Sequence, residues 1–372
     1  MTGTRPPSPE QQLTFLAKLQ RLFAEGDFTA TFKFALLISL ADLAVELGDD
    51  EGDELTVTTR QIGERFIQLY WQQAAPYAAA VDVTSSATVL AQNHGTQAAV
   101  ITAVSNFRTQ SGATTAQQAT HHKASQSITK HHKASQSITK HHKAFSSLLT
   151  NVTQTVSTMP LKFLQNFGGL TDEFLYERAD SGSIRIKSIA VYCLRRFQPL
   201  VQQLTRSHWI GHIKANRRNH QVLGPGNDLE DFLFLTSRQS LLVLGQGLRK
   251  IDGSKCFYCS QSMSGADVDH FIPFSLYPRD VGQNFVLAHP ACNRSKSTML
   301  AAKSHLERWL HRLDVHADNL AEIGTAAGLT VEAEVSRQVA RWGYANAMAS
   351  GAQAWRATQD YEPIDSTYTI CF

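Results

Sequence analysis

Apolar positions near the start of the chain fall on a helical period. Leu16, Leu19 and Phe23 line one face behind Ser8-Pro9-Glu10-Gln11, a capping box with proline at the first helical position, and Gly26 ends the segment. Phe34 to Leu47 is apolar on all sides except at Asp42 and Glu46. At 14 residues it is too short and too polar to span a bilayer, so it predicts a buried core helix. Thr58 with Gln61 caps a third helix, whose Ile62, Phe66, Leu69 and Tyr70 form another stripe. These stripes predict a helical bundle through about residue 110, built for packing rather than chemistry.

Further on the period changes. Phe174-Leu-Tyr and Ile184-Arg-Ile186 suit a short hairpin across Ala179 to Gly182, and Leu229 to Leu248 predicts one helix. Val268, Phe271 and Ile272 suit a strand, and Leu306, Trp309, Leu310 and Leu313 return to a helix period. A last helix is expected over about Val331 to Arg356, then an extended tail to Phe372. The expected class is α+β, predominantly α-helical. Its segments are a helical domain over 1–110, an insertion over 111–147, a mixed basic region over 148–248, a compact module over 249–313 and a helical extension over 314–372.

The insertion stands apart. HHKASQSITK occurs twice unchanged from His121, and a third copy begins HHKA before diverging at Phe145. Two apolar residues per ten cannot build a stacking face, so this is a tandem insertion rather than a solenoid. It carries five lysines and no acid, so the net charge of +3 is its doing. Without it, 30 basic residues face 32 acidic ones. Net charge is therefore no argument for nucleic-acid binding. Its six histidines could bind metal, or the tract could be a solvated linker.

Local charge says more. No acidic residue occurs from Ser181 through Asn227, while Arg195, Arg196, Arg206, Lys214, Arg217 and Arg218 cluster there with Phe197 and Trp209. Such a segment could dock on a phosphate backbone, or it could be a solvated helix face. Five cysteines, of which Cys193 and Cys371 read as ordinary thiols, fit a reducing compartment. Residues 1 to 12 lack the basic-then-apolar order of a signal peptide, so the expected location is cytoplasmic, with no membrane partner.

Metal chemistry concentrates between Cys256 and Lys296. Cys256-Phe-Tyr-Cys259 and His289-Pro-Ala-Cys292 are two ligand pairs, each with two residues between, a spacing that suits tetrahedral zinc. His305 lies nearby as a rival ligand. Between the pairs stand Asp269-His270 and Asn284; Asn293 and Lys296 follow. On a strand, Asp269 and His270 face opposite ways. Imidazole is suited to take a proton from water near neutral pH, and a carboxylate is a hard oxygen ligand for Mg²⁺. A zinc knuckle with no catalytic role, and Asp269-His270 as a surface pair, is the plain alternative.

The order C-x2-C, V-D-H-F-I-P, N-F-V-L-A, H-x2-C-N-x2-K resembles the HNH, or ββα-metal, nuclease family in its zinc-knuckle form, over roughly a ninth of the chain. The resemblance implies His270 as general base, Asp269 and Asn293 as ligands of a catalytic Mg²⁺ or Mn²⁺, Asn284 as the residue holding the loop that orients His270, and Lys296 on a phosphate. It implies Zn²⁺ on Cys256, Cys259, His289 and Cys292, and hydrolysis to a 5′ phosphate and a 3′ hydroxyl. Many members have histidine where this chain has Asn293 and cysteine where it has His289; an amide oxygen still suits Mg²⁺ and imidazole still suits zinc. The flanking segments are similar to stand-alone bacterial HNH proteins of restriction or phage-defence type. That implies double-stranded DNA as partner and a defence-system ATPase as companion. A homing or mobile-element nuclease, a non-catalytic zinc-stabilised DNA-binding protein and an RNA nuclease are the alternatives.

Overall fold

The computed structural model describes residues 6–77, 88–113, 115–116, 132–179, 182–223 and 229–372. The chain divides into two compact units, Met1–Leu235 and Thr236–Phe372. The sequence segments 249–313 and 314–372 both fall within the second unit, together with the end of the basic region.

The first unit is helical. Helix α1 (Pro9–Glu25) starts at the expected capping box, with Ser8 accepting from the Gln11 amide, and α3 (Thr59–Gln73) starts likewise at Thr58 and Gln61. Helix α2 (Phe32–Leu47) is buried from Phe32 to Glu46, as its apolar character on every side requires. It is surrounded by α3, α6 (Pro160–Phe163), α7 (Ser188–Arg196) and α8 (Gln198–Ala215). Helices α4 (Ala99–Ser111) and α5 (His132–Thr158) pack on α3. The first repeat copy lies outside the described residues; the second, from His132, and the third lie in the N-terminal part of α5.

A small antiparallel sheet completes this unit. The hairpin expected around 174–186 forms from β4 (Tyr176–Ala179) and β5 (Ser183–Ile186), and β1 (Leu55–Thr58) adds to its other side with Val57 opposite Ile184. A two-residue pair, β2 (Asn166–Phe167) and β3 (Leu170–Thr171), lies apart from it. The single helix expected over Leu229 to Leu248 is instead two, α9 (Leu229–Phe234) and α10 (Arg238–Asp252). Ser237 supplies the reason: its side chain accepts from the Ser240 amide and starts a new helix, and the two units meet in sequence just before it.

The second unit holds two two-stranded sheets among helices. Strand β6 (Asp267–His270) pairs antiparallel with β7 (Phe285–Ala288), Asp269 opposite Val286 and His270 opposite Phe285. Helix α10 packs on both strands, and the short α11 (Pro290–Lys296) packs across β6. The stripe of Leu306, Trp309, Leu310 and Leu313 lies on α12 (Lys303–Val315), with Trp309 stacked on Phe271 at 4.7 Å. Helix α13 (Ala317–Ala326) follows and packs against α10, where Gly247 lets the two approach closely: a Cβ there would sit 2.5 Å from Ile323.

The last helix is shorter than expected. Helix α14 runs from Ala333 to Ala349 and is closed by Gly351 at φ 64°. Arg356 lies on β8 (Gln353–Ala357), paired with β9 (Asp360–Pro363), and a 3₁₀ turn over Ser366–Cys371 replaces the extended tail. Trp355 is buried, and its backbone amide bonds the Leu300 carbonyl in strand fashion.

Candidate active site and metal centre

The loop between α10 and β6 brings Cys256 and Cys259 to the start of α11. Lys255 and Ser262 bridge as in a tiny hairpin, the Ser260 amide bonds the Cys256 carbonyl, and Ser260 takes φ 61°, the left-handed turn that swings both sulfurs to one side. Cys292 comes from the first turn of α11, and His289 precedes that helix. Ligand atoms of Cys256, Cys259, His289 and Cys292 all lie within 4.8 Å of one another. Zn–S bonds of about 2.3 Å in a tetrahedron put sulfurs about 3.8 Å apart, inside that limit, so the donor set fits a divalent metal. His289 presents Nδ1, 3.3 Å from the Cys259 sulfur, while its Nε2 is 3.1 Å from the Ser262 carbonyl, the outer contact that fixes a metal-binding imidazole.

The thiols share this logic. Burial would raise the Cys256 thiol, but the backbone amides of Cys259, His289 and Tyr258 hold it down, whereas burial and the two neighbouring sulfurs raise Cys292. His305, the rival ligand, is excluded: it is buried, its Nε2 is 2.9 Å from the Arg356 carbonyl, and it lies outside the cluster. Cys193 is a core thiol pushed up to about 12 by burial.

Both halves of the metal cluster grip β6. From the first, Tyr258 donates to Asp269 Oδ2 at 2.6 Å; burial and that carboxylate hold the phenol well above its ordinary value, so it stays a donor. From the second, Lys296 Nζ stands 3.2 Å from the same oxygen and donates to the His270 carbonyl at 2.8 Å. Lys296 is 0 % exposed. The sequence expectation that it contacts a phosphate is therefore corrected: its ammonium is already committed inside the protein. Burial lowers its pKa, and Asp269 opposes that shift.

The Asn293 side-chain amide donates to Asp267 at 3.1 Å. Strand alternation puts Asp267 and Asp269 on one face, so α11 lays Asn293 over the first and Lys296 over the second. Asp267, Tyr258 and Asp280 were all missed by sequence reasoning. The D-x-D spacing of Asp267 and Asp269 was a readable signal for one of them; Tyr258 and Asp280 carried none.

On the opposite face, the His270 ring packs on Phe285 at 4.4 Å and Phe274 at 5.4 Å, with its side chain 25 % exposed. Its Nε2 lies 2.6 Å from Asp280 Oδ1; Nδ1 makes no hydrogen bond among the described residues. Burial alone would raise the Asp280 carboxyl, but hydrogen bonds from His270 and Thr236 keep it below its ordinary value. Asn284 is 6 % exposed; it pairs twice with Ile272, accepting from its amide at 2.8 Å and donating to its carbonyl at 2.9 Å. The Phe271 amide bonds the Asn284 carbonyl at 2.7 Å. Asn284 thus ties down the loop that follows His270.

Residues 12–229 match the family described as Domain of unknown function (DUF8808), and residues 256–298 match HNH endonuclease. The chain belongs to the DUF8808 family. Within it, the metal cluster and the β6–β7–α11 arrangement form an HNH module of the zinc-knuckle type. No curated protein and no solved structure matches the chain. The HNH module supports a nuclease, and no helix among the described residues is long and apolar enough to cross a membrane.

The basic segment of this DUF8808 protein is partly core. Arg195 donates from Nη1 to the carbonyls of Ala44, Val45 and Gly48 and from Nε to Asp50, closing the C-terminus of α2. Arg206, 9 % exposed, bonds Gln202 and lies 4.7 Å over the Phe234 ring. Neither is a nucleic-acid contact, which corrects the sequence expectation. Lys214, Arg217 and Arg218 are exposed, and Arg196 is half-buried.

Proposed function

We propose that the HNH module hydrolyses phosphodiester bonds of double-stranded DNA, with His270 as the base that takes a proton from the attacking water. The observation that carries this reading is the His270 ring. One nitrogen is engaged by Asp280, the other makes no hydrogen bond among the described residues, and the ring is partly open to solvent. Imidazole gains a proton near neutral pH, as a general base must.

Asp269, with Asp267 and Asn293 beside it, supplies hard oxygen donors that suit Mg²⁺ or Mn²⁺. Bound there, such an ion supplies charge stabilisation to the scissile phosphate and the leaving oxygen. Tyr258 and Lys296 orient the Asp269 carboxylate, and Asn284 fixes the loop behind the base. Cys256, Cys259, His289 and Cys292 would hold Zn²⁺ in a purely structural role, since four protein ligands leave no open position. Exposed Lys214, Arg217 and Arg218 are the phosphate contacts of the first unit. Bacterial restriction or anti-phage defence in the cytoplasm, with a partner such as a defence-system ATPase, is the setting we assign; its support is the sequence resemblance alone.

The test is incubation of the purified chain with supercoiled plasmid and Mg²⁺ or Mn²⁺, beside EDTA and His270→Ala controls. Nicked or linear product only from the metal-loaded wild type is expected. Equal survival of the plasmid with wild type and mutant overturns the catalytic assignment, and cleavage of transfer or ribosomal RNA in preference to plasmid overturns the DNA assignment.

A further inference from the structure

Between the end of α10, the turn from Cys256 to Ser260 and one face of α12, the second unit holds a cavity of about 260 Å³. Arg308, His311 and Arg312 reach it from α12 at helical spacing, and Lys255 reaches it from the start of the turn. Among the described residues one carboxylate lines the cavity, Asp252, and Arg312 occupies both its oxygens, at 3.1 and 2.8 Å. Arg312 is buried and gives its third nitrogen to the Phe285 carbonyl, so this pair is closed to a ligand. Arg308 is different. Its Nη1 donates to the carbonyls of Phe257 and Tyr258, which fixes the guanidinium, while Nε and Nη2 make no hydrogen bond among the described residues. Lys255 and His311 are exposed, and their side chains form no ion pair or hydrogen bond among the described residues.

We propose that this cavity binds a phosphate group, and that the backbone of duplex DNA supplies it; the second part rests on the DNA reading above. The two uncommitted charges, Arg308 and Lys255, are both positive, and they come from separate elements onto one hollow. A guanidinium with one arm fixed keeps a free Nε–Nη2 edge, the fork that grips two oxygens of one phosphate, and the lysine ammonium adds a point charge. A neutral imidazole still has one N–H to donate, so His311 contributes without being protonated. Contacts of this kind carry no sequence information; they set where the duplex lies. Here the anchor is the metal turn itself: Arg308 holds the Tyr258 carbonyl, and the Tyr258 hydroxyl holds Asp269. A phosphate on Arg308 is thus registered against the same turn that steadies the acid strand.

The test uses the full, zinc-loaded chain and fluorescence anisotropy of a labelled duplex over a range of salt concentrations, without Mg²⁺ or Mn²⁺. Each phosphate contact contributes about 0.9 to the slope of log affinity against log salt. Lys255→Gln and Arg308→Gln should each reduce the slope by about that much, and together by about 1.8, with zinc content unchanged. Arg356→Gln is the control, since Arg356 is exposed, lies outside the cavity and pairs with Asp360; it should leave the slope as it is. A full slope in both cavity variants overturns the proposal, and so does an equal loss in Arg356→Gln, which would make the effect one of net charge. Zinc lost from both cavity variants also overturns it, because the two residues would then serve the metal turn. Failure of wild type to bind the duplex overturns the DNA reading instead. The phosphate site is then decided by ¹⁵N NMR of arginine-labelled protein titrated with inorganic phosphate, with Arg308→Gln identifying the resonance: a shifted Arg308 Nε–H signal upholds it, and an unmoved one overturns it.

Discussion

Lys296→Met separates two readings of one residue. Methionine keeps nearly the length and apolar character of the lysine stem and deletes only the ammonium. In the structure that ammonium is fully buried, 3.2 Å from Asp269 Oδ2 and 2.8 Å from the His270 carbonyl. Its loss leaves the buried Asp269 carboxylate, 7 % exposed, with the Tyr258 hydroxyl, an uncharged donor, in place of the ion pair. Breaking a buried ion pair from one side destabilises by about 3–5 kcal/mol. For a unit of this size each kcal/mol lowers Tm by roughly 3–5 °C, so a fall of about 10–20 °C is expected in the transition of the second unit. Calorimetry, with released zinc followed by a chromophoric chelator, measures it. Fluorescence anisotropy of labelled duplex DNA at several salt concentrations gives the second measurement. A lysine that neutralised a phosphate would contribute about 0.9 to the slope of log affinity against log salt. The buried lysine should contribute nothing. A slope reduced by that amount with Tm unchanged would refute the assignment and reinstate Lys296 as a DNA contact.

Three further outcomes follow from the structure. Cys256→Ser or Cys292→Ser should lose the single zinc per chain, measured by elemental analysis, and lower the melting transition of the second unit; a folded wild type free of zinc would contradict the cluster. Arg195→Ala should cost about 2–4 kcal/mol in urea unfolding, because three carbonyls at the end of α2 and Asp50 lose their donor, while DNA affinity of the folded protein stays the same. Asp42 lies buried beside Glu46, and burial, with that neighbour, raises its carboxyl to about 7. Between pH ~4 and ~7 the folded chain therefore binds more protons at this site than the unfolded chain, so this residue's contribution to stability falls as pH rises through that window. Asp42→Asn, which keeps an acceptor for Gln202, should match wild type at pH 4 and exceed it at pH 8 by at most ~4 kcal/mol; identical pH dependence of the two in urea melts would refute this.

What the sequence made legible was whatever depends on local spacing. Both capping boxes, the largely apolar α2, the hairpin at 176–186 and the two pairs of metal ligands each follow from residues within a few positions of each other, and they are found where expected. The failures share one cause: a charged or aromatic residue looks the same in sequence whether it meets solvent or the core. Arg195 and Arg206 belong to a basic run yet close a helix and pack on an aromatic ring. Lys296 stands at a phosphate-contact position and is buried. Trp355 and Arg356, inside the expected last helix, lie on a strand. Asp280 could not be read at all, because the bond that gives it meaning spans ten residues of loop.

Helix α11 has seven residues, and three of them carry separate duties: Cys292 in the metal cluster, Asn293 against Asp267, and Lys296 beneath Asp269. Its outward residues, Ala291 and Arg294, are exposed. Sequence drift in this stretch is therefore confined to those outward sites. A library of substitutions across 290–296, scored for survival of the folded module, would show freedom at 291 and 294 and intolerance at 292, 293 and 296. Adjacent duties also remove the option of gradual decay: a substitution that frees the metal also unseats the two side chains that steady the acid strand, so lineages should either keep the whole helix or lose the module's function in one step.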